Sequence, residues 1–421
     1  MTRALLEGCS TGAAWAKVVS MTRRHRLSHG DWESAALRLD EIICAHSGED
    51  PFEEALQLLV AKLMHESGGA ASPFISHDSD CGPASRVNRL LRAAEERWPG
   101  ILDRGATTRL SAPELLRCAS VLNGVRLLAD DLVGLDAIFE FMVSKAAKGA
   151  KGQYFTPRHV IAEVVAMVRP GAGERVADPA CGSGGFLRHA LRQAPRCSVW
   201  GFDQDTRALR VARVMLAASG QSTAVVTRVD SLRRAQARHS SEPVLEDFVR
   251  RQDREFRGFD VVLTNPPFAG DVGSEYAEAY QLARGHRVER DVLFLERCVE
   301  LLRPEGRLAI VLPHNKVGGE RWAYLRAWLL ERIAVVAVVG LGRNTFQPHT
   351  SQKACVVIGC KRSQARRPPC DEEILFFINE RDGKDQRGRL VYRADGDGID
   401  HDLAEATPLV RRRLQLAQGR I

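Results

Sequence analysis

The sequence contains no Cys-x-x-Cys pair, although ten cysteines are spread over its 421 residues. Cys355, Cys360 and Cys370 have no close histidine partners, which argues against a structural zinc site. The N-terminal segment lacks the charged-then-apolar pattern of a signal peptide, and no apolar run is long enough to cross a bilayer. We therefore expect reduced, buried thiols and a protein of the cytoplasm, with no metal site and no membrane partner.

Neither the composition nor the charge is extreme. Apolar residues make up 44% of the chain and charged residues 27%, which is ordinary for a soluble globular protein. The formal net charge of +7 favours a polyanionic partner, although a plain basic protein would carry the same surplus. The length is sufficient for two or three domains with a sizeable core.

Hydrophobic periodicity divides the chain into three parts. Residues 1–145 are predicted to form a helical domain, in which the segment 49–66 shows a capping Asp, an initial Pro and apolar residues at helical spacing. Over residues 146–362 short apolar strands alternate with helices, which predicts a doubly wound α/β sheet. Its last two strands, within residues 332–361, leave no room for a helix and predict an antiparallel hairpin at the sheet edge. Residues 363–421 are predicted to be a basic linker, a strand and an amphipathic C-terminal helix.

A strand, a tight turn and a helix start are predicted at residues 174–186, ERVADPACGSGGF. The apolar run ends at Asp178, and the following Gly182, Gly184 and Gly185 let a ligand approach the backbone and the helix N–H groups. The pattern D-x-x-C-G-S-G-G differs from the dinucleotide pattern G-x-G-x-x-G, which disfavours a dinucleotide-dependent oxidoreductase. The segment therefore indicates another nucleoside ligand.

The next two predicted strands also end in carboxylates. Asp203 lies about 20 residues beyond the glycines, where a carboxylate reaches ribose hydroxyls. Asp230 ends the third strand and is suited to accept a hydrogen bond from an adenine amino group. Each of these acids, like the neighbouring Asp205, would also serve as an ordinary helix N-cap. Three successive strands that end in an acid nevertheless favour a nucleoside cofactor across the carboxyl edge of a parallel sheet.

The segment 261–268, VVLTNPPF, is an apolar run that stops at Asn265, Pro266, Pro267 and Phe268. Consecutive prolines stiffen the chain and leave the Asn265 amide and the Pro266 carbonyl as outward-facing acceptors. Two such acceptors suit an exocyclic NH2 group, and Phe268 offers a face to a planar ring. The motif predicts attack by an amino nitrogen on an electrophile, although alone it fits equally well a strand that ends in a proline turn.

A third motif, KGQYFTPRHV at residues 151–160, contains an aromatic pair, Thr156 as a predicted helix cap and Pro157 at the first helical position. In this order GQYFTP, DPACGSGGF and NPPF resemble the amino-methyltransferases that act on adenine in DNA. The resemblance is strongest for the methylation (M) subunit of type I restriction-modification systems, and it extends from about residue 130 to about residue 361.

The resemblance implies a Rossmann-like class I methyltransferase sheet with S-adenosylmethionine as cofactor. The residues that would hold the cofactor are Tyr154, Phe155, Thr156, Pro157, Asp178, Ala180, Gly182, Gly184, Asp203 and Asp230. Tyr154 to Pro157 would line the methionine end, Asp203 would bind the ribose and Asp230 the adenine amine. The family often has Glu at the position of Asp203, which leaves a role for Asp205 open. The residues that would hold the target base are Asn265, Pro266, Pro267 and Phe268.

The implied reaction transfers a methyl group to N6 of an adenine that is flipped out of double-stranded DNA. No segment after NPPF is large enough for a separate recognition domain, so we expect a DNA-specificity (S) subunit and a restriction subunit as partners. The C-terminal helix either docks a partner or is solvated. Residues 269–287 are expected to form a mobile lid.

Three alternatives stay open. Cytosine N4 and the side-chain amide of a protein glutamine would fit a similar arrangement of Asn and Pro, because each presents an NH2 group next to a conjugated ring or carbonyl. A non-catalytic scaffold that binds DNA or cofactor within a defence complex is the third.

Overall fold

The computed structural model describes residues 29–46, 51–69, 74–75, 82–123, 126–128, 135, 138–139, 142, 155–220, 224–234, 244–268, 270, 272–365, 368, 372–395 and 398–419. The described part begins with helices α1 (His29–His46), α2 (Pro51–Ser67), α3 (Pro83–Arg97) and α4 (Ala112–Leu122). As the sequence predicts, Pro51 opens a helix with acids in its first turn, while the predicted cap at residue 50 lies outside the described residues.

These helices pack around a common hydrophobic core. Leu56 of α2, Leu91 of α3 and Leu115 of α4 are almost fully buried in it. Val211 and Met215, from a helix of the following sheet domain, complete the same core. The predicted helical region therefore packs against the sheet domain through apolar side chains.

The sheet domain alternates strands and helices. Its elements are α5 (Arg158–Val168), β1 (Arg175–Asp178), α6 (Gly185–Gln193), β2 (Ser198–Asp203), α7 (Thr206–Ala218), β3 (Ala224–Arg228), α8 (Leu245–Gln252), β4 (Phe259–Thr264), α9 (Ser274–Ala279), α10 (Arg290–Leu301), β5 (Leu302–Pro313), α11 (His314–Gly318), α12 (Ala323–Arg332), β6 (Ile333–Gly340), β7 (Ala354–Lys361), β8 (Leu375–Ile378) and α13 (Leu403–Ala417).

The described strands form one eight-stranded sheet in the order β3-β2-β1-β4-β5-β7-β6-β8. From β3 to β5 neighbouring strands are parallel, which confirms the predicted doubly wound α/β fold. Apolar side chains such as Val165 of α5 and Leu187 of α6 cover one face, and Val249 of α8 and Leu295 of α10 cover the other. Buried layers on both faces explain why these strands are almost continuously apolar.

The predicted hairpin forms, but its expected position at the sheet edge is wrong. β7 pairs antiparallel with both β5 and β6, so it lies inside the sheet. β8 then adds to the outer side of β6 as a parallel strand, with Ala337 opposite Leu375. The pairing of β8 is non-local, which is why the alternation of apolar residues alone did not place it.

The predicted C-terminal helix is α13, and its apolar side packs on the sheet domain. Leu403, Ala406 and Val410 are buried in the same core as the residues of α5 and β6. The Thr407 hydroxyl donates to Glu163 of α5 at 2.7 Å. The boundary predicted at residue 362 therefore does not coincide with an edge of this hydrophobic core.

The order of the strands predicts a crevice beside the middle of the sheet. The chain passes from β1 outward to β2 and β3, and then returns to place β4 on the other side of β1. At such a switch point the connections after the two strands diverge, and the carboxyl ends of β1 and β4 flank the space between them. Asp178 ends β1 and Thr264 ends β4.

Candidate active site

The glycine-rich turn after β1 has the geometry predicted for it. Gly182 and Gly184 have positive φ angles of 50° and 81°, which glycine adopts without the strain that a side chain would add. A Cβ atom on Gly185 would lie 2.7 Å from Ile161 Cδ1, whereas one on Gly182 would meet no atom within 4 Å. Gly185 thus permits close packing of α6, and Gly182 presents its backbone to open space.

Two carboxylates hold this turn. Asp178 Oδ1 accepts from the Ala180 N–H at 3.1 Å, and Asp203 Oδ2 accepts from the Gly182 N–H at 2.9 Å. Burial raises the pKa of Asp178 to about 7, and the nearby Asp203 acts in the same direction. Burial also raises the pKa of Asp203. Two acids at close range, at the ends of adjacent strands, favour a cationic ligand or a ligand that donates hydrogen bonds.

Asp205 stabilises the start of a helix. It is the N-cap of α7, where its Oδ1 accepts from the Arg207 N–H at 2.9 Å and the Ala208 N–H at 3.3 Å. The helix-cap interpretation therefore holds for Asp205, whose own N–H donates to Asp203 Oδ1 at 3.0 Å.

At the end of the third strand, Asp230 makes a contact that the sequence did not predict. Its Oδ1 accepts from the Leu232 N–H at 3.0 Å, and its Oδ2 accepts from the Tyr276 hydroxyl. Tyr276 lies on α9, in the segment that follows NPPF. The predicted site for an adenine amine thus adjoins an aromatic ring from the target side of the site. An aromatic residue so soon after NPPF was the available signal for it.

The expectation that residues 269–287 form a mobile lid is wrong for the second half of that segment. The fully buried Tyr280 donates its hydroxyl hydrogen bond to the Leu232 carbonyl at 2.7 Å. The Glu296 carboxylate accepts from the Gln281 N–H at 2.9 Å and the Leu282 N–H at 2.8 Å. These contacts fasten the segment to α10 and to the loop after β3, which its small and polar composition did not reveal.

On the other side of the crevice, NPPF is joined to the FTP motif. Asn265 Nδ2 donates to Thr156 Oγ1 at 2.9 Å, across 109 residues of sequence. Because the amide group is planar, this hydrogen bond also fixes the direction of Asn265 Oδ1. The prediction that Thr156 caps the next helix is wrong, because Pro157 is the N-cap of α5 and the Thr156 hydroxyl is used by Asn265.

The aromatic end of NPPF is packed into the protein. Phe268 is 3% exposed, and its ring meets that of Phe346 edge-on, with centroids 5.8 Å apart at 82°. Phe346 comes from the connection between β6 and β7 and was missed by the sequence analysis, although it is the aromatic residue of that connection. Pro266 is buried and Pro267 is half-buried. Stacking of Phe268 on a base therefore stays a prediction.

The remaining residues predicted to bind the cofactor lie in different environments, and one of them is not described. Tyr154 lies outside the described residues. Phe155 packs against the core of the helical region, and Ala180 is half-buried in the glycine turn. Hydrogen bonds connect Asp178 with Ala180, Asp203 with Gly182, and Thr156 with Asn265.

The structure bears on two other classes of site. Among the described residues, no group of three or more His, Cys, Asp or Glu side chains is arranged to hold a metal ion. In the same part of the chain, no helix combines the length and the apolar character that a membrane crossing requires. Burial raises the pKa of the Cys181 thiol well above its usual value, which keeps it protonated and suits a packing role.

Comparison with known proteins gives consistent matches. The family model for N-6 DNA Methylase matches residues 129–392. The EcoEI methylase subunit of a type I restriction enzyme from Escherichia coli is 26% identical over 227 residues, which are 51% of this chain and 43% of that protein. The HindI methylase subunit of a type I enzyme from Haemophilus influenzae is 26% identical over 275 residues, or 60% of this chain and 55% of that protein. The matches thus span about half the length of these relatives.

Two solved structures share the fold. A type I methyltransferase subunit from Streptococcus thermophilus has a TM-score of 0.60 at 15% identity and covers 92% of this chain and 94% of its own. A modification subunit of a type I enzyme from Vibrio vulnificus has a TM-score of 0.57 at 16% identity, with 94% and 90% covered.

Proposed function

The chain belongs to the N-6 DNA methylase family, and on this premise we propose that it transfers a methyl group from S-adenosylmethionine to N6 of adenine in double-stranded DNA. The resemblance predicted from the three motifs is confirmed at the level of the family. The observation that carries the proposal is the hydrogen bond between Thr156 and Asn265, which joins two of these motifs at the edge of the sheet where the glycine turn lies.

The residues around the glycine turn fit the cofactor. Gly182 offers its backbone to open space, and Asp203 stands beside it with a carboxylate suited to ribose hydroxyls. A cationic ligand would favour the charged forms of Asp178 and Asp203, whose pKa values are raised by burial, and Asp230 is an acceptor for an adenine amine. When bound, S-adenosylmethionine supplies a methyl group on a positively charged sulfur, which is a strong electrophile.

The residues of NPPF supply orientation. Asn265 Oδ1 and the Pro266 carbonyl would each accept one N–H of the target amine, which directs its lone pair away from both acceptors. The nitrogen would form a bond to the methyl carbon as the carbon–sulfur bond breaks, the neutral thioether would leave, and the extra proton on nitrogen would pass to solvent. Since the electrophile needs no activation, alignment accounts for most of the acceleration, and the Thr156 hydroxyl contributes by fixing the Asn265 amide.

The target base would have to leave the duplex, at a cost of roughly a few kcal/mol. In this proposal Phe268 becomes a stacking surface for the flipped base, which requires its ring to be uncovered from Phe346. Recognition of a DNA sequence would come from a separate specificity subunit, and a restriction subunit would complete the assembly, by analogy with the type I relatives.

The test is methyl transfer from labelled S-adenosylmethionine to genomic DNA, with and without a co-purified specificity subunit, followed by nucleoside analysis. We expect label in N6-methyladenine, with a strong increase when the partner is added. Label in N4-methylcytosine or in protein glutamine would show that the methyl acceptor is cytosine or a protein and not adenine. Label in none of these, with the cofactor bound, would support the scaffold alternative, and full sequence-specific activity without the partner would contradict the proposed assembly.

A further inference from the structure

An exposed arginine lies directly beside the backbone that follows NPPF. Gly270 has a φ of 129°, and a Cβ atom at this position would lie 3.1 Å from Arg290 Nε. The Arg290 side chain therefore packs against the chain two residues after Phe268. It belongs to the candidate target side of the site by position, although the sequence analysis gave it no role.

Arg290 is not placed there to stabilise its helix. It is the first residue of α10, where the partial positive charge of the helix N-terminus disfavours a cation. No carboxylate among the described residues lies within ion-pair distance of its guanidinium. The two acids on either side of it, Glu289 and Asp291, both pair with the fully buried Lys316 instead. A guanidinium in this setting would bind an anion with the support of the helix N-terminus.

Further basic side chains continue this surface. Arg284, Arg287 and Arg321 are exposed on it, and Arg321 donates to the Arg287 carbonyl at 2.6 Å while its guanidinium lies over the Trp322 ring. His286 is stacked on Tyr324, with centroids 3.8 Å apart at 9°. Backbone and ring contacts thus hold two of these side chains, which lowers the entropic cost of ordering them around a ligand.

We propose that Arg290, at the head of this basic surface, binds the phosphodiester backbone of the target strand beside the flipped nucleotide. A base held by Asn265 and Phe268 keeps its sugar and phosphates outside the pocket, and Gly270 and Arg290 are the adjoining protein groups. Guanidinium groups match phosphate oxygens in charge and geometry. This inference rests on the proposed function, because it assumes that the target of NPPF is part of a DNA strand.

The test measures binding of the full chain to a fluorescein-labelled DNA duplex between about 50 and 200 mM KCl. Arg290→Ala is expected to reduce the slope of log affinity against log salt by about 0.9, the value for one lost phosphate contact, and to weaken binding about tenfold. Arg290→Lys keeps the charge and is expected to keep the slope, with weaker binding because the bidentate geometry is lost.

Arg196 provides the matched control. It is an exposed arginine just before β2 and thus lies at the amino ends of the parallel strands, whereas NPPF follows the carboxyl end of β4. Arg196→Ala removes the same charge. We expect it to leave the slope unchanged, and S-adenosylmethionine binding by all three variants to equal that of the wild type. The proposal is overturned if Arg290→Ala keeps the wild-type slope, if Arg196→Ala lowers it equally, if Arg290→Lys behaves as Arg290→Ala, or if the wild-type chain shows no salt-dependent binding.

Failure of this inference differs from failure of the proposed function. DNA methylation with an unchanged salt slope for Arg290→Ala would reject the arginine and keep the enzyme. A slope that depends on Arg290 in a chain that methylates no DNA would keep the phosphate contact and reject the enzyme.

Discussion

The two halves of the candidate site are held by hydrogen bonds that span very different separations along the sequence. On the glycine side, Asp178 bonds to the Ala180 N–H two residues away, and Asp203 to the Gly182 N–H 21 residues away in the adjacent strand connection. On the NPPF side, Asn265 is held by a residue 109 positions earlier. The cofactor half is thus largely encoded in one local motif, whereas the target half exists only once distant segments are folded together.

The sharpest way to separate the halves is Asn265→Ala. We expect methyl transfer to fall by at least about 1000-fold, because an acceptor that aligns the amine is lost. The affinity for S-adenosylmethionine should stay within about threefold, because the hydrogen bonds that Asp178 and Asp203 make to the glycine turn are untouched. Turnover is measured on saturating DNA and cofactor affinity by calorimetry. Equal turnover by the variant would remove Asn265 from the mechanism.

The converse change is Gly184→Val in the cofactor half. A β-branched residue at a φ of 81° is strained, and its Cβ would lie only 3.2 Å from Ala212 Cβ. We expect the affinity for S-adenosylmethionine to fall about 100-fold as the turn is displaced.

Gly173→Val is the control for backbone strain alone. Gly173 has a φ of 79°, but its Cβ would meet no atom within 4 Å and it lies before β1. Urea unfolding should show a loss of about 1–3 kcal/mol from backbone strain in both variants, with weakened cofactor binding only for Gly184→Val. Equal loss of binding by both would mean that the turn acts through overall stability.

A further prediction concerns pH and the buried Asp178 of the cofactor half. Since burial raises the pKa of Asp178 from 3.8 to about 7, the folded state binds its proton more tightly than the unfolded state does. Asp178 should therefore stabilise the folded state less as pH rises from about 4 to about 7, so the free energy of unfolding of the wild type should fall relative to that of Asp178→Asn over this range. Urea unfolding of both proteins at several pH values checks it, and parallel curves would contradict the assigned burial effect.

This difference in sequence separation also explains which features of the fold and the site could be predicted from the sequence. The glycine turn, the alternation of strands and helices and the strand beyond residue 362 follow from local composition and periodicity, and the structure has them. Thr156 shows the limit, because a Thr-Pro pair before a helix indicates a cap, and nothing near it indicates that Asn265 will use its hydroxyl. Phe346 beside Phe268 and Tyr276 at Asp230 were missed for the same reason, since only the pairing of distant strands and loops brings them to the site.

The central claim is that the Thr156 hydroxyl completes the target half by orienting the Asn265 amide. The most direct test compares kcat for Thr156→Val, which removes the hydroxyl at nearly constant volume, with kcat for Thr156→Ser, which retains it. We expect kcat to fall about tenfold for Val and less than about threefold for Ser. Equal kcat values for the two variants would contradict it.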